Sequence, residues 1–189
     1  MWQSQYLHGK WITGVSAGGR GEHNEAKYWT NPQLSFHIHP NDVIEDNKCW
    51  VIIALMQKYT RNKRVTLRVD TAEEYIQFRV YKAKDTDKFL FNLSQGEQFE
   101  TSNLERIGSS GSYINKREVT ARFSLTPGAY LIVPSCYDED VDGEFLVRIF
   151  TEKPLSHKWD FFYILFRISP KLIYLLLFKD HLLLQDLES

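Results

Sequence analysis

Cysteine is scarce in this chain: 189 residues contain two, Cys49 and Cys136, far apart and without metal-ligand spacing. That argues against a disulfide scaffold and predicts the reduced thiols of an intracellular protein. An excess of either charge is also missing. Lys and Arg number 23 against 24 Asp and Glu, a net charge of −1. A balance so near zero gives no global attraction to nucleic acid or to an anionic membrane, so any such attraction has to come from local patches. The first residues, Met1-Trp2-Gln3-Ser4-Gln5, lack the basic start and apolar run of a secretory signal. No internal repeat is visible, and no convincing helical periodicity occurs before residue 155.

What is present suits a packed core. Hydrophobic residues make up 43% of the chain and aromatics 14%, well above the composition of a disordered segment. The length fits one domain plus an appendage, since single cores typically take about 100–150 residues. The most unusual stretch lies near the start, where Gly9-Lys10-Trp11-Ile12-Thr13-Gly14-Val15-Ser16-Ala17-Gly18-Gly19 is followed by Tyr28-Trp29-Thr30-Asn31-Pro32-Gln33. Its glycines permit a tight fold over something close. Ala-Gly-Gly suggests a phosphate cradle, but the Lys-Ser/Thr ending of a P-loop and the spacing of a dinucleotide fingerprint are both missing. A loop that packs its tryptophans on a sheet is the simpler reading.

Residues 33–39 alternate Leu34, Phe36 and Ile38 with Ser35, His37 and His39, a strand pattern that ends at Pro40. An acidic loop at 42–47 follows. Residues 49–58 form the most apolar run of the main body, which predicts a strand buried on both faces. Lys58, Arg61, Lys63, Arg64 and Arg68 then make a basic run. Residues 75–83 alternate again. The polar stretch 84–112 reads as loop, with Phe89-Leu90-Phe91 as a short extra strand and 108–112 as a flexible connection. Val119, Ala121, Phe123 and Leu125 alternate before a Pro127-Gly128 turn, and 130–134 returns, so the pair reads as a hairpin. An acidic turn with Asp138, Glu139, Asp140 and Asp142 leads to a last strand at 144–151. Short alternating strands separated by turn signals indicate an all-β antiparallel sandwich.

From residue 155 the composition changes. Two apolar runs, 159–167 and 171–178, are split by Ser169-Pro170. A bilayer span needs about 20 mostly apolar residues, and Arg167, Pro170 and Lys171 interrupt this one. Helical or unstructured, the 154–189 tail is compatible with an interfacial helix, with a segment buried on the sandwich, and with translated sequence that has no native partner. Its unlikeness to everything before it favours the last.

The 9–19 motif and Asn31-Pro32-Gln33 are followed in order by Ala54-Leu55-Met56-Gln57-Lys58 and Arg117-Glu118-Val119. Phe123-Ser124-Leu125-Thr126-Pro127-Gly128-Ala129-Tyr130, Val133-Pro134-Ser135 and Glu144-Phe145-Leu146-Val147-Arg148-Ile149-Phe150 complete the series. Together, over residues 9–153, they resemble domain III of the calpain large subunit. The resemblance implies an eight-stranded antiparallel sandwich related to C2 domains, with Trp11, Gly14, Gly18, Gly19, Asn31 and Pro32 as structural motif residues.

Calpains are calcium-dependent cysteine proteases whose catalytic Cys, His and Asn lie on papain-like domains. Those domains are not expected in this chain, and neither cysteine sits in a nucleophile context, since Cys49 opens an apolar strand and Cys136 follows Val-Pro-Ser; no catalytic residue is carried over, and the tail has no EF-hand loop pattern. The resemblance therefore implies a non-catalytic regulatory domain of such a protease, partnered in the parent protein by its protease core. A free-standing calcium- and phospholipid-binding module is the alternative, and a fragment described by inheritance as a calcium-dependent endopeptidase is another. By position, Asp42, Glu45 and Asp46 match the family's acidic loop, linked to calcium and phospholipid response. Calcium takes about six to eight oxygen ligands, so these three would need backbone and water oxygens to form a weak site. A solvated acidic loop without an ion is the competing reading.

Lys58, Arg61, Lys63, Arg64 and Arg68 would meet anionic phospholipid or serve as intramolecular partners. The Asp138–Asp142 cluster reads as a turn. His37 and His39 share a strand face but lack a third metal ligand, and Arg117, Glu118 and Arg122 read as surface charges. The implied location is the cytoplasm, with membrane association on a calcium rise. Trp11 and the 14–19 loop, at the family's join to the protease core, are expected to be more exposed here than in a full calpain.

Overall fold

A computed structural model describes residues 2–21, 25–43, 46–58, 65, 73–94, 97, 99 and 101–152. The apolar tail, Glu45, Arg61, Lys63, Arg64 and Arg68 lie outside them. The described chain forms two antiparallel sheets. Its strands are β1 (Gln3–Trp11), β2 (Leu34–Ile38), β3 (Cys49–Gln57), β4 (Tyr75–Ala83), β5 (Leu104–Ser109), the two-residue β6 (Ile114–Asn115), β7 (Glu118–Leu125), β8 (Gly128–Cys136) and β9 (Gly143–Thr151). One sheet runs β1-β9-β3-β7 and the other β2-β8-β4-β5, with β6 paired to β4. Eight strands of five residues or more thus make the sandwich that the alternating pattern implies.

Leu7, Trp11, Phe36, Val51, Ile53, Leu55, Phe78, Val80, Tyr130, Ile132, Phe145 and Val147 all belong to the core between the sheets. Their period of two along each strand places every second side chain inward. A second core covers the outer face of the β2-β8-β4-β5 sheet. There Ala129, Leu131 and Val133 meet Tyr28, Trp29, Phe89, Leu93 and Phe99.

This second core corrects two sequence expectations. The strand buried on both faces is β8, all nine of whose residues are buried. β3 instead leaves Trp50 41% exposed, covered on the outer face of its sheet by the Arg122 side chain rather than by a packed apolar layer. The cover on β8 comes partly from a nine-residue helix, Thr86–Ser94, where the sequence suggested loop and a strand at Phe89-Leu90-Phe91. Asp85 caps this helix by accepting the Lys88 N–H at 3.0 Å. Phe89 and Leu93, four apart, fall on its buried side, and Phe91 is 65% exposed. Local spacing wins over the strand preference of aromatics.

The third correction concerns β7 and β8, which are not a hairpin. β7 pairs β3 while β8 pairs β2 and β4, so residues 126–127 carry the chain from one sheet to the other. The Tyr130 hydroxyl donates to Thr126 O at 2.6 Å, and Lys82 Nζ donates to Thr126 Oγ1 at 2.6 Å. These contacts pin the corner to the second sheet. Alternation looks the same whether two strands lie side by side or face one another across a core. Residues 108–109, read as flexible connection, end β5.

Candidate functional site

β1 ends at Trp11, which is 2% exposed, and its Nε1–H donates to Pro134 O at 3.1 Å across the sandwich. Its ring centroid lies 4.6 Å from that of Phe145. The expectation of an exposed tryptophan is corrected: the domain's own core takes up the indole. The loop after it folds on itself, with the Val15, Ser16 and Ala17 N–H groups all donating to Ile12 O at 3.0, 2.8 and 3.1 Å. Ser16, fully buried, accepts the Ile12 N–H at 3.1 Å.

Facing this loop is the acidic turn 138–142. The Thr13 N–H donates to Asp142 Oδ1 at 2.6 Å and the Gly14 N–H to Asp140 Oδ1 at 3.2 Å. The Thr13 hydroxyl donates to Asp140 O at 2.8 Å. Lys27 Nζ bridges Glu139 at 2.6 Å and Asp140 at 3.0 Å. The Thr13 and Gly14 amides thus meet the chain's own carboxylates, and in the Ala-Gly-Gly stretch that suggested a phosphate cradle the Ala17 N–H donates to Ile12 O and the Gly18 N–H to Asn31 Oδ1. Lys27 carries no signal in the sequence, because only folding brings it to residues 139–140.

Hydrogen bonds from the Lys27 ammonium, then from the Gly14 amide, hold the Asp140 carboxyl below its ordinary value of 3.8. The folded-state value is depressed, so the contact is complete above 3.8 and is lost as pH falls through the lower, folded value. Followed by NMR, the Gly14 amide shift is expected to titrate below 3.8 in the native chain and to move towards that value in Lys27→Met. A native midpoint at the ordinary value would remove the bridge from the account.

The motif residues of the sequence turn out to be braces. Asn31 is fully buried: its Oδ1 accepts the Gly18 N–H at 3.1 Å while its Nδ2 donates to Gly19 O at 2.8 Å and Tyr28 O at 2.9 Å. Pro32, also buried, separates it from Gln33. Gln33 does the same for another segment, accepting the Phe99 N–H at 2.9 Å and donating to Phe99 O at 3.0 Å and Trp29 O at 3.1 Å. Gln57 ties together the backbone of Glu74 and Lys116. Side-chain amides carry a donor and an acceptor, so they can satisfy buried backbone groups that no strand pairs.

The other candidate residues are placed as follows. Asp42 is 2% exposed and its Oδ2 accepts the His39 N–H at 2.9 Å, closing the short turn Pro40–Asp42. Asp46 is exposed and, like Asn47, has positive φ. Lys58 stands at the other end of β3, with its Nζ 3.5 Å from Glu144, a carboxylate it shares with Lys10 at 3.1 Å. By the β3–β9 register, this is the end that carries the Trp11 loop and the 138–142 turn.

The His37 and His39 rings are 5.7 Å apart. Among the described residues no group of three or more His, Cys, Asp or Glu could hold a metal ion. Glu118 pairs with Arg148, and the Arg122 guanidinium lies 3.9 Å over the Trp50 ring. Cys49 and Cys136 are both buried in the core, at 0% and 3% exposure.

An antiparallel sandwich braced by buried Asn and Gln amides, with charged turns at both ends, is a scaffold for presenting loops. The family described as "Calpain large subunit, domain III" matches residues 7–150. The chain belongs to this family, and its sandwich is of the C2-like kind. It is 40% identical over 152 residues to Calpain-B and to Calpain-A of Drosophila melanogaster, covering 80% of this chain and 16% and 18% of those proteins. It is 34% identical over 157 residues to the Calpain-1 catalytic subunit of Gallus gallus, covering 80% of this chain and 21% of that protein. The chain thus spans about a fifth or less of the length of these relatives. Among solved structures, the Yersinia pseudotuberculosis-derived mitogen matches at 8% identity with a TM-score of 0.38, covering 86% of this chain and 96% of that one.

Proposed function

We propose that residues 9–153 act as a non-catalytic regulatory domain of a calpain-type, calcium-dependent cysteine protease. In this reading, charged loops at the two ends of the sandwich carry its response to calcium and anionic phospholipid, in the cytoplasm and at membranes. The observation that carries the non-catalytic part is the placement of the two thiols. A cysteine nucleophile must be reachable and beside a base, whereas Cys49 and Cys136 are core residues.

Support for the regulatory part is electrostatic. The Lys27–Glu139–Asp140 contacts are partly exposed, with side chains between 33% and 45% accessible. Exposed ion pairs are weak and salt-sensitive, so ions and charged surfaces can shift them while the braced sheets stay fixed. Calcium would be held at the 42–46 loop by Asp42, Glu45 and Asp46. One Asp42 oxygen is already engaged with His39, so backbone and water oxygens would complete a weak site. The basic residues Lys58, Arg61, Lys63, Arg64 and Arg68 would face lipid head groups, each worth about 1 kcal/mol near such a surface.

Co-sedimentation of the chain with phosphatidylserine vesicles tests this reading. Pelleting is expected to need calcium and to weaken with salt. It should fall when Asp42, Glu45 and Asp46 are changed together to Asn, Gln and Asn. Pelleting that ignores calcium and salt, or is equal in native and variant chains, would sink the proposal.

A further inference from the structure

Gln77, Arg79 and Tyr81 alternate on the outer face of β4, beside the second core. A cavity of about 580 Å³ opens there, lined by Arg20, Glu25, Tyr28, Trp29, Arg79 and Tyr113 among others. That volume is within the usual range of small-molecule sites, about 300–1,000 Å³. Arg79 is half-buried. Its guanidinium lies 4.4 Å over the Tyr28 ring, and its Nε donates to Gln77 Oε1 at 3.1 Å. Among the described residues, no carboxylate lies within ion-pairing distance of it.

A guanidinium taken partly out of water, with only neutral partners among the described residues, is a costly arrangement that an anion would relieve. Arg20, whose guanidinium stacks 3.8 Å over the Tyr137 ring, brings a second fork of donors to the same cavity. Trp29, 6% exposed, adds an indole N–H that is buried and has no acceptor. The walls between these donors are aromatic. Among the described lining residues the one carboxylate is Glu25, an exposed residue in the first turn of the short helix Glu25–Tyr28.

We infer that this cavity binds a small soluble phosphate monoester: the phosphate between Arg79 and Arg20, the organic part against the tyrosine and tryptophan walls. A phosphate fits better than a single carboxylate because it carries about −1.5 to −2 charges near neutral pH and three acceptor oxygens, matching two planar guanidinium forks. Glu25 opposes the ligand's charge at the rim and limits its affinity. The inference uses none of the residues proposed to hold calcium or lipid and does not depend on that reading.

Calorimetric titration of the 189-residue chain with phenyl phosphate tests the inference, with inorganic phosphate and phenol run alongside. Phenyl phosphate is expected to bind more tightly than either comparison compound. Arg79→Gln should weaken it by about tenfold or more, Arg79→Lys should restore part of the loss, and Glu25→Gln should tighten binding. Thermal melts establish that each variant is folded. Should Arg79→Gln fail to fold, Arg20→Gln is expected to weaken binding on its own. Equal affinities for the native chain and for a folded arginine variant would overturn the inference, as would absence of heat at millimolar ligand. Displacement of phenyl phosphate by phosphatidate vesicles would overturn the soluble ligand in favour of a lipid headgroup.

Discussion

Trp11→Ala is expected to lower the free energy of unfolding by about 3–5 kcal/mol, the usual cost of truncating a core aromatic. Three losses combine at this position. The indole is 2% exposed, so its transfer from water is nearly complete. Its contact with Phe145 at 4.6 Å lies within its own sheet, against the strand paired to β1. Its hydrogen bond to Pro134 O reaches the opposite sheet, so truncation also leaves a buried carbonyl without its donor. Trp11→Phe separates these effects: the ring is largely kept and the N–H is lost, for an expected cost of about 1–2 kcal/mol. Urea unfolding followed by far-ultraviolet circular dichroism measures both. A loss below about 1 kcal/mol for the alanine variant would mean that the indole does not tie the two sheets together.

The second large effect is at Gly18, and Gly14 provides the contrast. A Cβ built on Gly18 would lie 1.9 Å from the backbone oxygen of Lys27 and 2.7 Å from Thr30 Oγ1. The Lys27 oxygen cannot retreat easily, since it accepts the Thr30 N–H at 3.0 Å and the Thr30 hydroxyl at 2.8 Å. Relief would also disturb the Gly18 N–H bond to Asn31. Gly18→Ala should therefore cost about 3 kcal/mol, at the upper end of overpacking penalties.

Gly14 has φ +70° and open space around its added Cβ. Only the left-handed backbone penalises alanine there, by about 1–2 kcal/mol. Equal losses for the two variants, measured by the same urea series, would show that the close approach of the Gly18 segment to residues 27–30 is not what makes a glycine necessary.

The acidic loop and the basic run were legible in one respect: they flank β3, and the β3–β9 register puts their described members at opposite ends of the sandwich. The partners were not legible. Lys58 meets Glu144, and the 138–142 acids meet Lys27 and the amides of residues 13–14. These pairs join parts of the chain more than a hundred residues apart in the case of Lys27, and charge is additive along a sequence whatever its order. Nothing in the pattern distinguishes a lysine that finds a carboxylate from one that stays in water.

The Asn-Pro-Gln triplet shows the opposite case. It stood out as a motif, and its residue types imply hydrogen bonding with a fixed backbone. Which carbonyls and amides it would satisfy depends on the 18–19 turn and on Phe99, reached only after folding.

Several features were set by the sequence alone. Period-two alternation, Pro and Gly at the turns and the lack of helical periodicity in most of the domain determined an antiparallel sandwich. The ordered motifs determined its resemblance to calpain domain III, and local chemistry determines both. Tertiary structure alone decided which strand is buried twice, that β7 and β8 belong to different sheets, and that the tryptophan–glycine loop is spent on the 138–142 turn. It alone also gathers Arg20, Arg79 and Trp29 around one cavity. The reason is common to all four: each depends on which surfaces meet across the sheets. Alternation says that a side chain points to one face or the other, and only packing says what that face touches.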